Sequence, residues 1–285
     1  MKIISYRLNN ASSYGVLVNN ELYSLPENQS GLPATMNAFL ALEESGMEMA
    51  RQTAQQIEAG ALVANPVSNY EILAPVPHPT SCRDGYAFRQ HVEAARKNRG
   101  VEMIPEFDQY PIFYFTNHQA VEGPGPVYCM PDHFEQLDFE LEIAIVIGKK
   151  GRNIKASEAD AYIAGFTIMN DMSARKLQME EMLLNLGPAK GKDFSTVIGP
   201  WLVTPDELAH KIAPTKAGHV GLNYDLAMKC YVNDILVSSG NVKDMDWTFA
   251  EIIERCSYGV TLYPGDVIGS GTVGTGCFLE LNGTG

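Results

Sequence analysis

LDFELEIAIVIG, residues 137–148, is the stretch whose reading decides the fold. Its residues alternate in character, and alternate residues of an extended strand share one face. Phe139, Leu141, Ile143, Ile145 and Ile147 therefore point to one side, as the apolar face of a core strand does. Asp138, Glu140 and Glu142 point to the other side, which continues as Ala144 and Val146 and so also turns inward. Carboxylates on a half-buried face repel one another unless a cation or a basic group compensates them. From this segment alone a solvated outer face fits equally well.

Outward from this strand lie four further segments that can carry chemistry. IMNDMSARKLQ places Asp171 after an apolar strand, where it can cap a helix beginning at Ser173. Asp171, Arg175 and Gln178 are then spaced i, i+4, i+7, on one helical stripe; a plain cap with a surface ion pair is the alternative. CRDGYAFRQHVEAARKNRG holds Asp84 and His91 seven apart, one face of a helix if a helix spans both. A histidine beside a cation-bearing carboxylate suits a general base, whereas a lone histidine is more often structural. GPAKGKDFSTVIGPW presents Lys190 and Lys192 in a glycine-punctuated loop that lacks the G-K-[ST] order of a phosphate loop. YPGDVIGSGTVGTGCFLEL satisfies G-x-G-x-x-G at Gly269, Gly271 and Gly274, but CFLEL reads as a strand, and dinucleotide binding needs a helix there. The glycines instead suit a tight turn carrying Thr272, with Glu280 on the next strand.

The rest of the chain is strand-rich. IISYRL, YGVLV and ELYSL form short strands near the N-terminus, with Asn19-Asn20 as a hairpin turn, and helical spacing runs over 35–60 to a stop at Gly60. The proline-rich APVPHPT, residues 74–80, marks a boundary between a small β/α domain, 1–73, and a larger one, 74–285. In the larger part, strands are expected at 110–115, 139–148, 164–170, 199–204, 226–233 and 265–271, and helices at 85–99, 173–185 and 247–255. Many strands punctuated by Gly and Pro imply a mixed α/β, β-rich fold with a rolled sheet.

Composition narrows the function classes. The 285 residues carry 34 acids against 21 bases, a formal net charge of −13, which repels nucleic acid. The five cysteines form no C-x-x-C pair and suggest reduced thiols in a cytoplasmic protein. MKIISYRLNN turns polar too early for a secretory signal, and no apolar run is long enough to span a bilayer.

Together the five segments resemble the fumarylacetoacetate hydrolase family over roughly residues 75–281. D-x-Y-x-x-R-Q-H stands at Asp84, Tyr86, Arg89, Gln90 and His91; D-F-E-L-E at Asp138 to Glu142; N-D-x-S-A-R-x-x-Q at Asn170 to Gln178. G-K-x-F-x-T stands at Gly191 to Thr196, and T-x-G followed by L-E-L between Thr272 and Leu281. The resemblance implies a rolled-sheet catalytic domain, usually a homodimer, holding Mg2+ or Ca2+, with Mn2+ a further candidate. Carried over by position, it implies Asp84, Glu140, Glu142 and Asp171 as metal ligands. His91 with Glu280 becomes the catalytic dyad, Arg175, Gln178 and Lys192 the oxyanion group, and Tyr86, Tyr114 and Thr272 the substrate contacts. Thr196 matches a position near the cation or the substrate oxygens.

Three departures accompany the match. Met182 stands where fumarylacetoacetate hydrolase itself has a substrate-binding tyrosine, the N-terminal domain is shorter, and the chain stops at Gly285, before the strands usual after L-E-L, which implies a C-terminal truncation. The implied activity is metal-dependent hydrolysis of a carbon–carbon bond in a fumarylacetoacetate-like or acylpyruvate-like oxo-acid, as in aromatic catabolism. An oxaloacetate decarboxylase or hydratase of the same superfamily, or a non-catalytic metal-binding protein, are the alternatives.

Overall fold

The computed structural model describes residues 1–98 and 100–282. Its frame is an 11-stranded, mostly antiparallel sheet. From one edge the path runs Glu21–Ser24, Ala11–Val18, Lys2–Leu8, Thr196–Val203, Ile163–Asp171, Leu141–Ile147, Val267–Gly269, Cys82–Gly85 and Phe113–Thr116. The N-terminal hairpins thus join the main sheet directly, through Ile3 opposite Leu202. Their turn at Asn19 and Asn20 has both φ values positive, 51° and 66°, the conformation that asparagine tolerates best among non-glycine residues.

The strand Leu141–Ile147 lies inside this sheet and is covered on both faces. Ile143, Ile145 and Ile147 enter one apolar core, packed by the helix Phe249–Ser257 through Phe249, Ile252 and Ile253. That helix begins in a capping box, Thr248 with Glu251, whose reciprocal bonds are 3.2 and 2.9 Å. Ala144 and Val146 enter the opposite core, with Ile3, Tyr14, Met36, Phe39 and Leu40. Each large apolar side chain buried this way contributes roughly 1.5–3 kcal/mol. The sequence pattern placed Ile143, Ala144, Ile145, Val146 and Ile147 inward, and they are buried.

Three expectations about local structure are corrected. The helical spacing over 35–60 resolves into two helices, Met36–Leu40 and Glu43–Glu58, because the chain turns at Ala41-Leu42. The helix expected at 85–99 is Arg89–Asn98, and Asp84 precedes it in the strand Cys82–Gly85, so Asp84 and His91 share no helical face. CFLEL is not a strand: Phe278–Asn282 is a short helix, so Glu280 is helical. Its first amides are capped from a distance, Phe278 N–H to Asp138 Oδ1 at 2.8 Å and Leu279 N–H to Asp138 Oδ2 at 2.9 Å. Arg99, at the end of the expected helix, and Gly285, at the chain's end, lie outside the described residues.

Candidate active site

Strand register brings the acids together. Cys82, Ala144, Met169 and Val267 lie in one core, and the residue two positions from each, toward the same end of the sheet, is Asp84, Glu142, Asp171 and Gly269. Since side chains repeat every second residue, the three acids and Gly269 share that face. Gly269 pairs with Asp84 on one side and Ala144 on the other, while Met169 pairs with Glu142. A Cβ at Gly269 would stand 2.5 Å from Asp84 Oδ1 and 2.9 Å from Glu142 Oε2. Only glycine leaves room for the carboxylates, a role beyond the turn expected of it.

Asp84, Glu140 and Glu142 each offer an oxygen within 4.8 Å of the others. Asp84 and Glu142 both accept the Gly271 N–H, at 3.1 Å each. The glycine-rich loop thus serves carboxylates, the opposite of a phosphate cradle. Asp171 joins through Lys192, whose Nζ donates to Glu140 Oε2 at 2.6 Å and to Asp171 Oδ2 at 3.0 Å. The Tyr114 hydroxyl also donates to Asp171 Oδ2, so its polar end is engaged by a carboxylate. Asp171 is fully buried and its other oxygen, Oδ1, has no hydrogen-bond partner. Asp171 is the last residue of Ile163–Asp171, not a helix cap; the following helix, Arg175–Met182, has Ala174 at its N-cap position. The expected stripe therefore reduces to Arg175 and Gln178, joined by Arg175 Nη1 to Gln178 Oε1 at 2.9 Å.

Arg175 Nε donates to Asp138 Oδ2 at 2.8 Å, and Nη2 pairs with Glu140 Oε1 at 2.9 Å. Asp138 thus ties this arginine to the helix that carries Glu280. The anchor role was not readable from sequence, because its partners lie 37 and 140 residues away. Lys192 reaches inward because its loop packs closely on the helix Arg175–Met182: a Cβ at Gly191 would meet Gln178 N at 2.6 Å. Lys190, by contrast, is exposed and pairs with Asp193. Thr196 is buried opposite Asp171 across the sheet.

Electrostatics follow from burial. Asp138, Asp84, Glu140, Glu142 and Asp171 are all buried, and among them Lys192 and Arg175 are the buried cations that pair with Asp138, Glu140 and Asp171. Burial, reinforced by Asp171, pushes the Asp84 carboxyl up to about 7. Burial and Asp84 hold Glu142 well above the usual carboxylate range, and burial raises Asp171. At Glu140 burial is outweighed by the charges of Lys192 and Arg175, which hold it low. A divalent cation would relieve the surplus negative charge, and Asp171 Oδ1 has no hydrogen-bond partner among the described residues to compete for its lone pair. An all-oxygen carboxylate set suits Mg2+, Ca2+ or Mn2+ rather than a soft metal.

His91, on the helix Arg89–Asn98, meets Glu280 across 189 residues of sequence: Nδ1 lies 3.0 Å from Oε2, with both side chains buried. Tyr86 packs edge-on against His91, ring centroids 5.8 Å apart. His91, Asp84, Glu140, Lys192, Arg175, Gln178, Tyr86, Tyr114 and Thr272 all open on one cavity of about 380 Å³. Met179 and Met182 form part of its apolar wall, with Ile112 and Leu279. The structure thus brings together residues drawn from six separate sequence segments.

The description "Fumarylacetoacetate (FAA) hydrolase C-terminal" matches residues 80–283. The chain belongs to the fumarylacetoacetate hydrolase family. Among curated relatives it is 36% identical over 258 residues to oxaloacetate tautomerase FAHD2A, mitochondrial, of Homo sapiens, covering 87% of this chain and 72% of that one. It is 34% identical over 257 residues to the counterpart in Rattus norvegicus, with the same coverage. Among solved structures it resembles fumarylacetoacetate hydrolase from Exiguobacterium antarcticum, with a TM-score of 0.67 at 24% identity, covering 98% and 88% of the two chains. It also resembles maleylpyruvate hydrolase from a Sphingobium species in complex with manganese(II) and pyruvate, with a TM-score of 0.69 at 22% identity, covering 97% and 90%. These likenesses bear out the mixed α/β, rolled-sheet fold of the family. The family is one of hydrolases, isomerases and tautomerases. Among the described residues no helix is long and apolar enough to cross a membrane.

Proposed function

We propose that this chain is a divalent-metal-dependent hydrolase that cleaves a carbon–carbon bond in a 1,3-dicarbonyl oxo-acid, fumarylacetoacetate-like or acylpyruvate-like. The observation that carries the reading is the His91–Glu280 pair, 3.0 Å apart, whose His91 lines the same cavity as Asp84 and Glu140. Water activation needs a base held in one orientation, and a buried carboxylate on Nδ1 leaves Nε2 as the nitrogen that accepts a proton.

In this reading Asp84, Glu140, Glu142 and Asp171 hold Mg2+, Ca2+ or Mn2+. When bound, such a cation supplies Lewis-acid polarisation of the dicarbonyl oxygens and stabilises the charge released on cleavage. His91 takes a proton from water, and the hydroxide adds to the carbonyl carbon. Glu280 stabilises the imidazolium so formed. Arg175, Lys192 and the amide nitrogen of Gln178 face the oxyanion that develops. The carbon–carbon bond then breaks, giving a carboxylic acid and an enolate that takes up a proton. Arg175 and Lys192 also favour an acidic substrate despite the chain's negative charge. Tyr86 and Thr272 line the substrate space, and Tyr114 contributes its ring there while its hydroxyl steadies Asp171.

A second reading, keto–enol tautomerisation, is favoured by the identity to proteins named oxaloacetate tautomerase. The same dyad and metal would then move a proton between carbon and oxygen without adding water. A panel of fumarylacetoacetate, acylpyruvates and oxaloacetate, each with and without EDTA and with products identified, separates the two. Carboxylic acid release that EDTA abolishes supports hydrolysis; tautomer exchange with no bond cleaved on any member overturns it. The division at residue 74, a cytoplasmic location and a homodimer complete the proposal, the last checked by light scattering.

A further inference from the structure

The proposed dyad leaves one buried nucleophilic group beside it with no part in the chemistry. Cys277 is fully buried, and its Sγ, a ring nitrogen of His91 and a carboxylate oxygen of Glu280 all lie within 4.8 Å of one another. Thiolate, imidazole and carboxylate form the borderline-soft set that zinc prefers, quite unlike the hard oxygen set of the four acids nearby. Zinc bonds of about 2.0–2.3 Å in tetrahedral geometry put ligand atoms about 3.3–3.7 Å apart. His91 and Glu280 are already in contact at 3.0 Å, so only Cys277 Sγ needs to draw inward, by at most about an ångström. His91 itself opens on the cavity, which gives an ion a way in.

We propose that His91, Cys277 and Glu280 form a second, inhibitory site for thiophilic cations of the Zn2+ and Cd2+ class, separate from the carboxylate site. Three protein ligands leave a fourth position for water, as in open zinc sites. Binding exchanges the Cys277 thiol proton for the metal, and that proton passes to solvent. The same event occupies the imidazole and the carboxylate of the proposed dyad. The inhibition rests on the dyad reading above, whereas the binding rests on geometry alone, and the two are measured separately.

The intact protein, loaded with excess Mg2+, is titrated with Cd2+ while the ultraviolet cadmium–thiolate charge-transfer band is followed. Zn2+ is titrated in parallel against turnover of whichever panel substrate reacts. Expected are one cadmium–thiolate equivalent lost on Cys277→Ser, and zinc inhibition weakened by at least a factor on the order of 10–100. Cys277→Ser leaves the Mg2+-supported rate unchanged, and Cys277→Ala serves as a second probe of the thiol. His91→Ala, with the thiol intact, takes up cadmium more weakly at that equivalent. An unchanged band in Cys277→Ser, or zinc inhibition that excess Mg2+ relieves equally in both proteins, overturns the proposal. If no substrate turns over, the cadmium difference still decides the site while the hydrolase reading fails by itself.

Discussion

Replacing Glu280 by Gln removes one charge from the dyad and little volume. The carboxylate oxygen lies 3.0 Å from His91 Nδ1, with both side chains buried. At an effective dielectric constant of about 20, an imidazolium and a carboxylate at this separation attract by about 5 kcal/mol. The glutamine amide keeps a hydrogen bond and recovers part of this, leaving a loss of about 3–4 kcal/mol, or on the order of 10²–10³ in rate. A glutamine can also donate to Nδ1, which places the ring proton on Nε2 and abolishes its use as a base. His91→Ala is expected to cost roughly 10²–10⁴, the usual worth of a general base. The double variant should fall little below His91→Ala, because groups acting as one unit are not additive. Steady-state turnover of fumarylacetoacetate and an acylpyruvate is followed by loss of the enol's ultraviolet absorbance, with metal content measured for each protein. Losses that multiply in the double variant, or an active His91→Ala, refute the reasoning.

Asp171→Ala should lower activity mainly by weakening metal binding, so raising Mg2+ restores part of the rate by mass action; a variant that holds metal normally yet stays dead contradicts this. Gly269→Ala places a methyl 2.5 Å from Asp84 Oδ1 and should cut metal affinity by at least about tenfold, the scale of a displaced supporting group; calorimetric titration with Mn2+ reads it, and unaltered affinity disposes of the packing argument. The third outcome concerns pH. Asp84, at about 7, and Glu142, also held well above the usual carboxylate range, retain protons in the metal-free fold that ordinary unfolded carboxyls release near 4. Their contribution to stability is therefore complete below about 4 and is lost as pH rises through 7. The melting temperature of EDTA-treated protein should fall between pH 5.5 and 8, and added Mg2+ should raise it more at pH 8; a metal-induced shift independent of pH contradicts the raised carboxyls.

The acid-bearing face of Leu141–Ile147 was legible because strand periodicity alone sets which residues share a side, and Ala144 and Val146 reported that the side turns inward. The meeting of His91 and Glu280 was not legible locally, since 189 residues separate them; it came from the resemblance. Two local readings failed for one physical reason. A residue at a strand end and a cap at a helix start look alike in sequence, so Asp171 was given the wrong role. A five-residue apolar run has no decisive period, so Glu280 was given a strand; the distant Asp138 carboxylate decides for a helix by capping it. Gly269 was read as a turn glycine because its crowding is created by side chains on three other strands.

The position of Asp138 bears on how the molecule comes to exist. One carboxylate holds Arg175 on one side and the amides of Phe278 and Leu279 on the other. The candidate site is therefore closed by contacts of very long sequence separation, whose loop-closure cost slows their formation when a chain folds. During synthesis the strands bearing Asp84, Glu142 and Asp171 emerge well before the segment bearing Glu280. Until that segment docks, Arg175 lacks a firmly seated Asp138 and the base lacks its carboxylate. A chain whose strand Val267–Gly269 has paired on both sides can thus hold its acids in place, while the proposed base still waits for the segment bearing Glu280 to dock.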